Sequence, residues 1–275
     1  MALELTARDD VIGQACLSID LSGITPDRLA DLPPADVASR PVRADGSPHP
    51  LGKFFTVAGL ANDGRIVLRG NLTRVHHIAA GMASGSIHVD GTIGRHAGEG
   101  MAGGRLTVDG SAGDWLACGL RGGVVHVFGD AGDNAAAALP RHEHGVNGGT
   151  VLVEGTVGQL AGARMRRGIL AVGGDCGEGA GFELRAGTVV VAGSLGPRAG
   201  AAMRRGSIVA LGPTPDIWPG FTQGSVWQPA VVPMLLRQLA RNGWKSPAAT
   251  ARGPWQHWHG DLTAGSRGEL FCQPS

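Results

Sequence analysis

The sequence has no tyrosine, and aromatic residues make up only 4% of it. A core without large rings must be narrow and filled by small aliphatic side chains. Positive charge comes almost wholly from arginine, because Lys53 and Lys245 are the only lysines. The formal net charge is +1, so the overall charge does not indicate binding to nucleic acid or to a membrane surface.

Several kinds of site and segment are also missing. The four cysteines, Cys16, Cys118, Cys176 and Cys272, form no CxxC pair, which excludes a zinc ribbon and an iron–sulfur cluster. No apolar run approaches the roughly 18 residues that cross a membrane. The first residues lack the basic start and apolar run of a signal peptide. We therefore expect a cytoplasmic protein.

Glycine, in contrast, is abundant, with 47 residues, and it recurs at a fixed spacing of 19 residues. A weaker first copy of the repeat begins at Gly64. The glycines that open the clear copies are Gly85, Gly104, Gly123, Gly149, Gly168, Gly187 and Gly206, with seven extra residues between the third and the fourth. Such self-similarity is the signature of a repeat protein.

Aliphatic residues alternate between these glycines. In the copy 85–104 they are Ile87 and Val89, and the equivalent positions of the other copies are almost all Val, Ile or Leu. This alternation predicts short strands, and we expect two or three of them in each copy. Equivalent strands would stack in parallel at about 4.8 Å, with right-handed crossovers. The sequence thus predicts an all-β protein, a right-handed parallel β-helix in the form of a single-stranded solenoid of about seven to eight turns.

The ends of such a solenoid must be covered, because open strand edges invite aggregation. We expect small α-helical caps at both ends. The predicted divisions are an N-terminal cap segment at 1–60, the β-helix at 61–212, and a C-terminal helix with a capping tail at 213–275.

Local signals place elements inside the caps. Thr25 followed by Pro26 predicts the start of a helix. Residues 231–243 predict an amphipathic helix that ends at Asn242 and Gly243. The tail segment "GPWQHWHGDL" (253–262) is expected to be a loop that packs over the open end.

The repeat motif, Gly-x-aliphatic-x-Val-x-Gly-x-x-Gly-x-x-Ala-Gly-x-x-Met, resembles the GXGXG β-helix family. The clearest copies are "GTVLVEGTVGQLAGARMRRG" (149–168) and "GTVVVAGSLGPRAGAAMRRG" (187–206). Within that family, "PLGKFFTVAG" (50–59) and "GDLTAGSRGELF" (260–271) are similar to segments of the β-helical subunit of formylmethanofuran dehydrogenase and of the formyltransferase/hydrolase complex. The carboxy-terminal domain of the large glutamate synthase subunit is a more distant member.

The resemblance implies a noncatalytic structural subunit in a cytoplasmic hetero-oligomer. Its partners would be an amidohydrolase-like chain, a pterin-enzyme-like chain and a formyltransferase. The complex would convert formyl-tetrahydromethanopterin to formate through a formyl-furan carrier in bacterial one-carbon metabolism. The alternatives are the β-helical subunit of an archaeal-type molybdenum or tungsten formylmethanofuran dehydrogenase and a structural glutamate synthase-type domain. The arginine-rich composition favours the bacterial complex.

Interpretations in which the chain acts alone have less support. The glycine runs resemble phosphate-binding loops, but they recur in every copy, and no helix follows them as such a loop requires. A solenoid hydrolase or lyase would align carboxylates on one face, and none aligns. We therefore expect no catalytic residue and no cofactor bound by this chain alone.

Three histidine groups are candidates for metal binding. The insertion "RHEHG" (141–145) carries His142 and His144, but two ligands are too few for a zinc site. The same holds for the pairs His76–His77 and His257/His259. We expect no metal site, and we interpret His142 and His144 as part of a partner-docking loop.

Two outward columns of the repeat are candidates for binding. The first is a stripe of arginines that could bind the acidic glutamate tail of the furan carrier or an acidic partner, because guanidinium suits carboxylates. Alternatively, these arginines are solvated or pair with nearby acids such as Glu178 and Glu183. The stripe consists of Arg121, Arg166, Arg185 and Arg204 in one column and Arg167 and Arg205 in the next.

The second candidate is an exterior face that becomes apolar in the later copies. An apolar exterior face should be covered, either by the C-terminal helix or by another subunit, and both are possible together. The residues assigned to this predicted partner interface are Leu152, Val190, Val209 and Leu211.

Overall fold

The computed structural model describes residues 2–12, 18–245 and 253–274. Over these residues the protein is mostly β, with few helices, in agreement with the predicted all-β class. The N-terminal segment contains β1 (Leu3–Ala7), α1 (Asp9–Ile12), β2 (Ile19–Asp20), α2 (Pro26–Leu29), α3 (Pro34–Ala38), β3 (Pro41–Ala44), β4 (Ser47–Pro50) and β5 (Phe55–Ala58). Helix α2 begins where Thr25 and Pro26 predict it.

The repeat forms one strand in each copy, rather than the expected two or three, and only the first copy has a second short strand. At the second position the later copies are joined by isolated bridges. These strands are β6 (Arg65–Arg69), β7 (Val75–His76), β8 (Ser86–Asp90), β9 (Arg105–Val108), β10 (Val124–Val127), β11 (Asn147–Val153), β12 (Arg167–Val172), β13 (Thr188–Val191) and β14 (Arg205–Ala210). The tail contains β15 (Thr222–Trp227), α4 (Val231–Arg241), β16 (Trp255–Gly260) and β17 (Arg267–Cys272).

The strands form a 13-stranded sheet in the order β15-β16-β17-β14-β13-β12-β11-β10-β9-β8-β6-β1-β5. In the sheet, every pairing between β17 and β1 is parallel. The pairings at the two ends, β15 with β16, β16 with β17 and β1 with β5, are antiparallel. The register aligns equivalent residues of successive copies, so that Ile87 pairs with Leu106 and Val89 with Val108. A second, 4-stranded sheet has the order β4-β3-β2-β7.

A second column of parallel bridges stacks the same copies at another position of the repeat. It runs through Leu72, Ile93, Ala112, Ala131, Val157, Cys176 and Leu195. The aliphatic columns between the two sets of pairings are buried and form one continuous core. Within the copy 85–104, Ile87, Val89, Ile93 and Met101 all lie in it.

Both ends of the stack are closed by strands that the sequence did not predict. At the start, β1 pairs with β6 and β5, so the first segment extends the sheet. At the end, β17 pairs in parallel with β14 and continues the stack. The segment around Trp255 and Trp258 is strand β16, not the expected loop. No helix among the described residues has the length and hydropathy needed to cross a membrane.

Glycine is required where the backbone of one copy meets the next. Gly123 has φ +84°, and a Cβ on it would lie 2.5 Å from the carbonyl oxygen of Gly104. Gly119 also has a positive φ, +63°, but a Cβ there would meet nothing within 4 Å. Substitutions at these two glycines can therefore distinguish two free-energy costs. One is the cost of a left-handed backbone, and the other is the cost of a steric clash with the preceding copy.

We expect Gly119→Ala to lower the free energy of unfolding by about 1–2 kcal/mol, the cost of a left-handed residue with a Cβ. Gly123→Ala should lose a further ~1–3 kcal/mol, because the methyl group collides with the backbone of the preceding copy. Urea denaturation of both variants measures the difference. Equal losses would show that the stacking contact does not require glycine.

Candidate functional site

Part of the arginine stripe lines one open cleft beside the insertion. The cleft has a volume of ≈ 600 Å³ and is lined by Arg166, Arg167, Arg185, Arg205, Glu143, His144 and Ala186. Four guanidinium groups and a single carboxylate give it an excess of positive charge. Such a surface attracts ligands that carry several carboxylates.

Glu143 is the acid that pairs with this cluster. Arg185 Nη1 donates to Glu143 Oε1 at 2.7 Å, and Arg166 Nη1 lies 3.4 Å from His144 Nε2. The hydrogen bond from Arg185 lowers the pKa of Glu143. Because this carboxylate is exposed, the pair contributes little to stability and can exchange for another anion.

Glu178 and Glu183 are not the acids that pair with the stripe. Glu183 pairs with Arg164 at 2.8 Å, and Glu178 pairs with Arg198. Neither of these two arginines belongs to the predicted stripe. The side chains of Arg166, Arg167 and Arg205 are exposed and remain available.

The other two members of the stripe lie outside this cleft. Arg121 donates from Nη2 to the carbonyl oxygen of Gly100 at 3.2 Å and lines a neighbouring cleft of ≈ 390 Å³, together with His142. Arg204 is exposed and is not part of the lining of either cleft. His144 borders both clefts, so the insertion stands between them.

A cluster that the sequence did not predict lies at the corner of the early copies. His77 Nδ1 and His96 Nδ1 lie 3.2 Å and 2.9 Å from the same oxygen, Oε2 of Glu99. Among the described residues, these three form the one group whose potential metal-ligand atoms all lie within 4.8 Å of one another. The 19-residue spacing of His77 and His96 was the signal that could have revealed it.

Charge interactions and burial shift the pKa values of the groups in and beside this cluster. Contacts with His77 and His96 hold the pKa of Glu99 at about 2, and Glu99 in turn raises the pKa of His77. Burial, reinforced by the negative charge of Glu99, raises the pKa of the nearby Cys118 thiol to about 12. The carboxylate is therefore charged and the thiol neutral over the physiological range.

The apolar exterior face lies beneath helix α4. Leu152, Val190 and Val209 are fully buried, and Leu211 packs at their margin. Phe271, which pairs with Val209, continues this face on β17. The cluster is completed by Val232, Leu235, Leu236 and Leu239 of α4, together with Trp244 and Trp255. The structure therefore places the predicted interface residues in a second core inside the chain.

Hydrogen bonds to Glu154 attach the segment that follows helix α4 to the stack. His126 Nε2 lies 2.7 Å from Glu154 Oε1, and both Glu154 oxygens accept from the backbone N–H of Lys245 at 3.1 Å. The Lys245 ammonium also lies 4.7 Å from the centroid of the Phe128 ring. These contacts fix the position of the helix along the stack of copies.

Beyond this second core, the tail exposes large apolar side chains. Val226 and Trp227 lie on β15, the edge strand of the sheet, and Val231 and Met234 lie on α4. About half or more of each side chain is exposed, with Met234 at 61%. Apolar side chains beside an unpaired strand edge are typical of protein–protein contact sites.

Together, the stacked copies, the cationic cleft and the covered face define an all-β repeat protein. The sequence matches no protein-family model and no curated protein. Among solved structures, it matches a chain in the crystal structure of the formyltransferase/hydrolase complex (FhcABCD) from Methylorubrum extorquens in complex with methylofuran. The identity is 32%, the TM-score is 0.85, and the match covers 99% of this chain and 100% of that chain. The chain belongs to the family of that component of the formyltransferase/hydrolase complex.

The cover of the apolar face yields a stability prediction. Leu236→Ala should lower the free energy of unfolding by about 2–5 kcal/mol, because it leaves a cavity between α4 and the later copies. The matched control is Met234→Ala on the exposed side of the same helix, which should stay within about 0.5 kcal/mol of the parent chain. Chemical denaturation measures both. Similar small losses would mean that α4 does not pack on the stack in solution.

Proposed function

We propose that the protein is a noncatalytic structural subunit of a formyltransferase/hydrolase complex. The full-length likeness to a chain of that complex, at 32% identity, is the observation that carries the proposal. The reaction would be the conversion of formyl-tetrahydromethanopterin to formate through a formyl-furan carrier. The same likeness favours this complex over the dehydrogenase and glutamate synthase alternatives.

In this proposal the stacked copies form a right-handed parallel β-helix at 61–212, capped by segments 1–60 and 213–275. The helix acts as a rigid support whose sides bind the catalytic chains. Those chains are the amidohydrolase-like, pterin-enzyme-like and formyltransferase subunits. Parallel pairing of equivalent strands, together with the second column of bridges, supports this architecture.

We assign two binding surfaces to this support. The cationic cleft, with Arg166 and Arg185 at its centre, would bind either the acidic tail of the furan carrier or an acidic partner surface. The exposed apolar side chains Trp227 and Met234 would bind a partner subunit beside α4. Leu152, Val190 and Val209 serve this contact indirectly, since they hold the helix in place.

Coexpression tests the main proposal. A tagged copy of the chain should purify with the other subunits of its complex, and the chain alone should have no formyl-hydrolase activity. Native mass spectrometry then identifies the partners. A chain that purifies alone and hydrolyses a formyl carrier would overturn the proposal.

Charge reversal tests the cleft. Arg166→Glu combined with Arg185→Glu should reduce either complex assembly or the affinity for the furan carrier by at least about tenfold, since like charges would then face each other. Size-exclusion chromatography measures assembly, and titration of the assembled complex measures carrier affinity. Weakened assembly identifies an acidic partner, whereas weakened carrier binding in an intact complex identifies the acidic tail.

The matched control is Arg65→Glu combined with Arg105→Glu, an equal change of charge on exposed strand ends of earlier copies. This control should leave both measurements unchanged. If the cleft variant also leaves both unchanged, the assignment of the cleft is wrong.

A further inference from the structure

The repeat places three aromatic rings in one ladder at a corner of the early copies. His77, His96 and Trp115 follow one another at intervals of 19 residues, and all have a left-handed backbone, with φ of 56°, 62° and 61°. The backbone N–H of each donates to a carbonyl of the next copy, His77 to Arg95 at 3.0 Å and His96 to Asp114 at 2.9 Å. The two imidazole centroids are 4.8 Å apart, and Trp115 stacks on His96 at 6.1 Å. The ring positions are therefore fixed by the backbone.

Glu99 faces this ladder and pairs with both imidazoles through one oxygen, but neither contact has hydrogen-bond geometry. Oε2 is buried and has no partner with hydrogen-bond geometry, although two imidazole nitrogens lie within 3.2 Å of it. A buried carboxylate oxygen without a partner is costly and needs an explanation. A cation shared by the oxygen and both nitrogens would supply one.

Two of the three separations between these atoms are close to those in a zinc coordination shell. Two ligands that each lie about 2.0–2.1 Å from zinc at the tetrahedral angle are about 3.3 Å apart. The Nδ1–Oε2 separations here are 2.9 Å and 3.2 Å. Two imidazoles with one glutamate form a ligand set that zinc uses in proteins.

A fourth ligand would come from the next copy after a rotation of the Cys118 side chain, because Cys118 Sγ is not among the atoms that all lie within 4.8 Å of one another. Cys118 lies 19 residues after Glu99, and its Sγ is 3.8 Å from His96 Nδ1. For zinc, a sulfur at about 2.3 Å and a nitrogen at about 2.0 Å would be separated by about 3.6 Å. The thiol is protonated in the absence of metal, and a bound divalent ion deprotonates a coordinating thiol outright.

We propose that His77, His96, Glu99 and Cys118 bind a divalent transition-metal ion of the zinc class. The ligands come from three successive copies: His77 from the first, His96 and Glu99 from the second, and Cys118 from the third. With Cys118 rotated toward the cluster, four protein ligands leave no open position, so the ion would be structural and would cross-link the start of the stack. A cleft of ≈ 380 Å³ that reaches His77 and His96 provides the entry path, with Asp20 and Arg95 on its walls.

The site differs from an ordinary histidine–carboxylate pair on the same copies. His88 Nε2 and Asp109 Oδ2 lie 3.1 Å apart, but this pair is exposed and, among the described residues, has no third or fourth ligand. It therefore serves as a matched control for adventitious binding. Variants at His88 should not affect the proposed site.

The full-length chain, stripped with a chelator, tests the proposal by titration with Zn²⁺ and with Co²⁺. We expect one ion per chain by calorimetry, a higher thermal midpoint with Zn²⁺, and a thiolate-to-cobalt charge-transfer band with Co²⁺. Glu99→Gln and His96→Gln should weaken binding by more than about 100-fold, beyond the usual effect of removing a supporting residue. His88→Gln should bind as the parent chain does.

Cys118→Ser separates the roles of the ligands. It should abolish the charge-transfer band, whereas Cys176→Ser, a change at another buried cysteine, should retain it. Circular dichroism confirms that each variant is folded. Absence of stoichiometric binding by the parent chain, or equal binding by Glu99→Gln, would overturn the site. Bound cobalt without a charge-transfer band would overturn the assignment of Cys118.

Discussion

Main-chain hydrogen bonds between residues one copy apart hold this molecule together. The N–H of Arg105 donates to Gly85 O and that of Val124 to Gly104 O, both at 3.0 Å, and the same bond recurs in later copies. Backbones this close leave no room for a side chain at the corner, which is why glycine is fixed there. The buried positions between the columns hold small and medium aliphatic residues and methionine, such as Val89, Ala97 and Met101.

Stacking at this spacing also turns every outward position into a column of neighbouring side chains. Repeated acceptors form ladders, as when Asp130 Oδ1 accepts from Thr156 N and Asp133 Oδ1 accepts from Gln159 N. Repeated cations concentrate charge in one cleft, and repeated rings stack at one corner. An outward column can therefore acquire a binding property when its residues differ from those of the other copies. The buried stack does not have to change.

The repeat made much of this predictable from the sequence. Strand register followed from the glycine spacing, the buried aliphatic column from alternation, and helix α4 from its apolar period and its stop at Gly243. The pairing of β1 with β6 was not predictable, because nothing local in residues 3–7 specifies a partner sixty residues away. The pairing of Arg164 with Glu183 was not predictable either, because it depends on side-chain geometry at a corner of the stack. The convergence of Glu99 on His77 depends in the same way on the left-handed turns at that corner.

The exterior strand face is divided between two environments, and the division follows from where the chain folds back on itself. In the later copies it is apolar and covered by α4, whereas His88 in the early copies is 46% exposed and paired with Asp109. His126 stands at the boundary, where Glu154 and the backbone of Lys245 end the cover. Because Leu152, Val190 and Val209 are buried beneath α4, the apolar part of this face is already covered within the chain. Any partner on the same face must therefore meet either the polar early copies or the outer side of α4, and these two surfaces select partners of different chemistry.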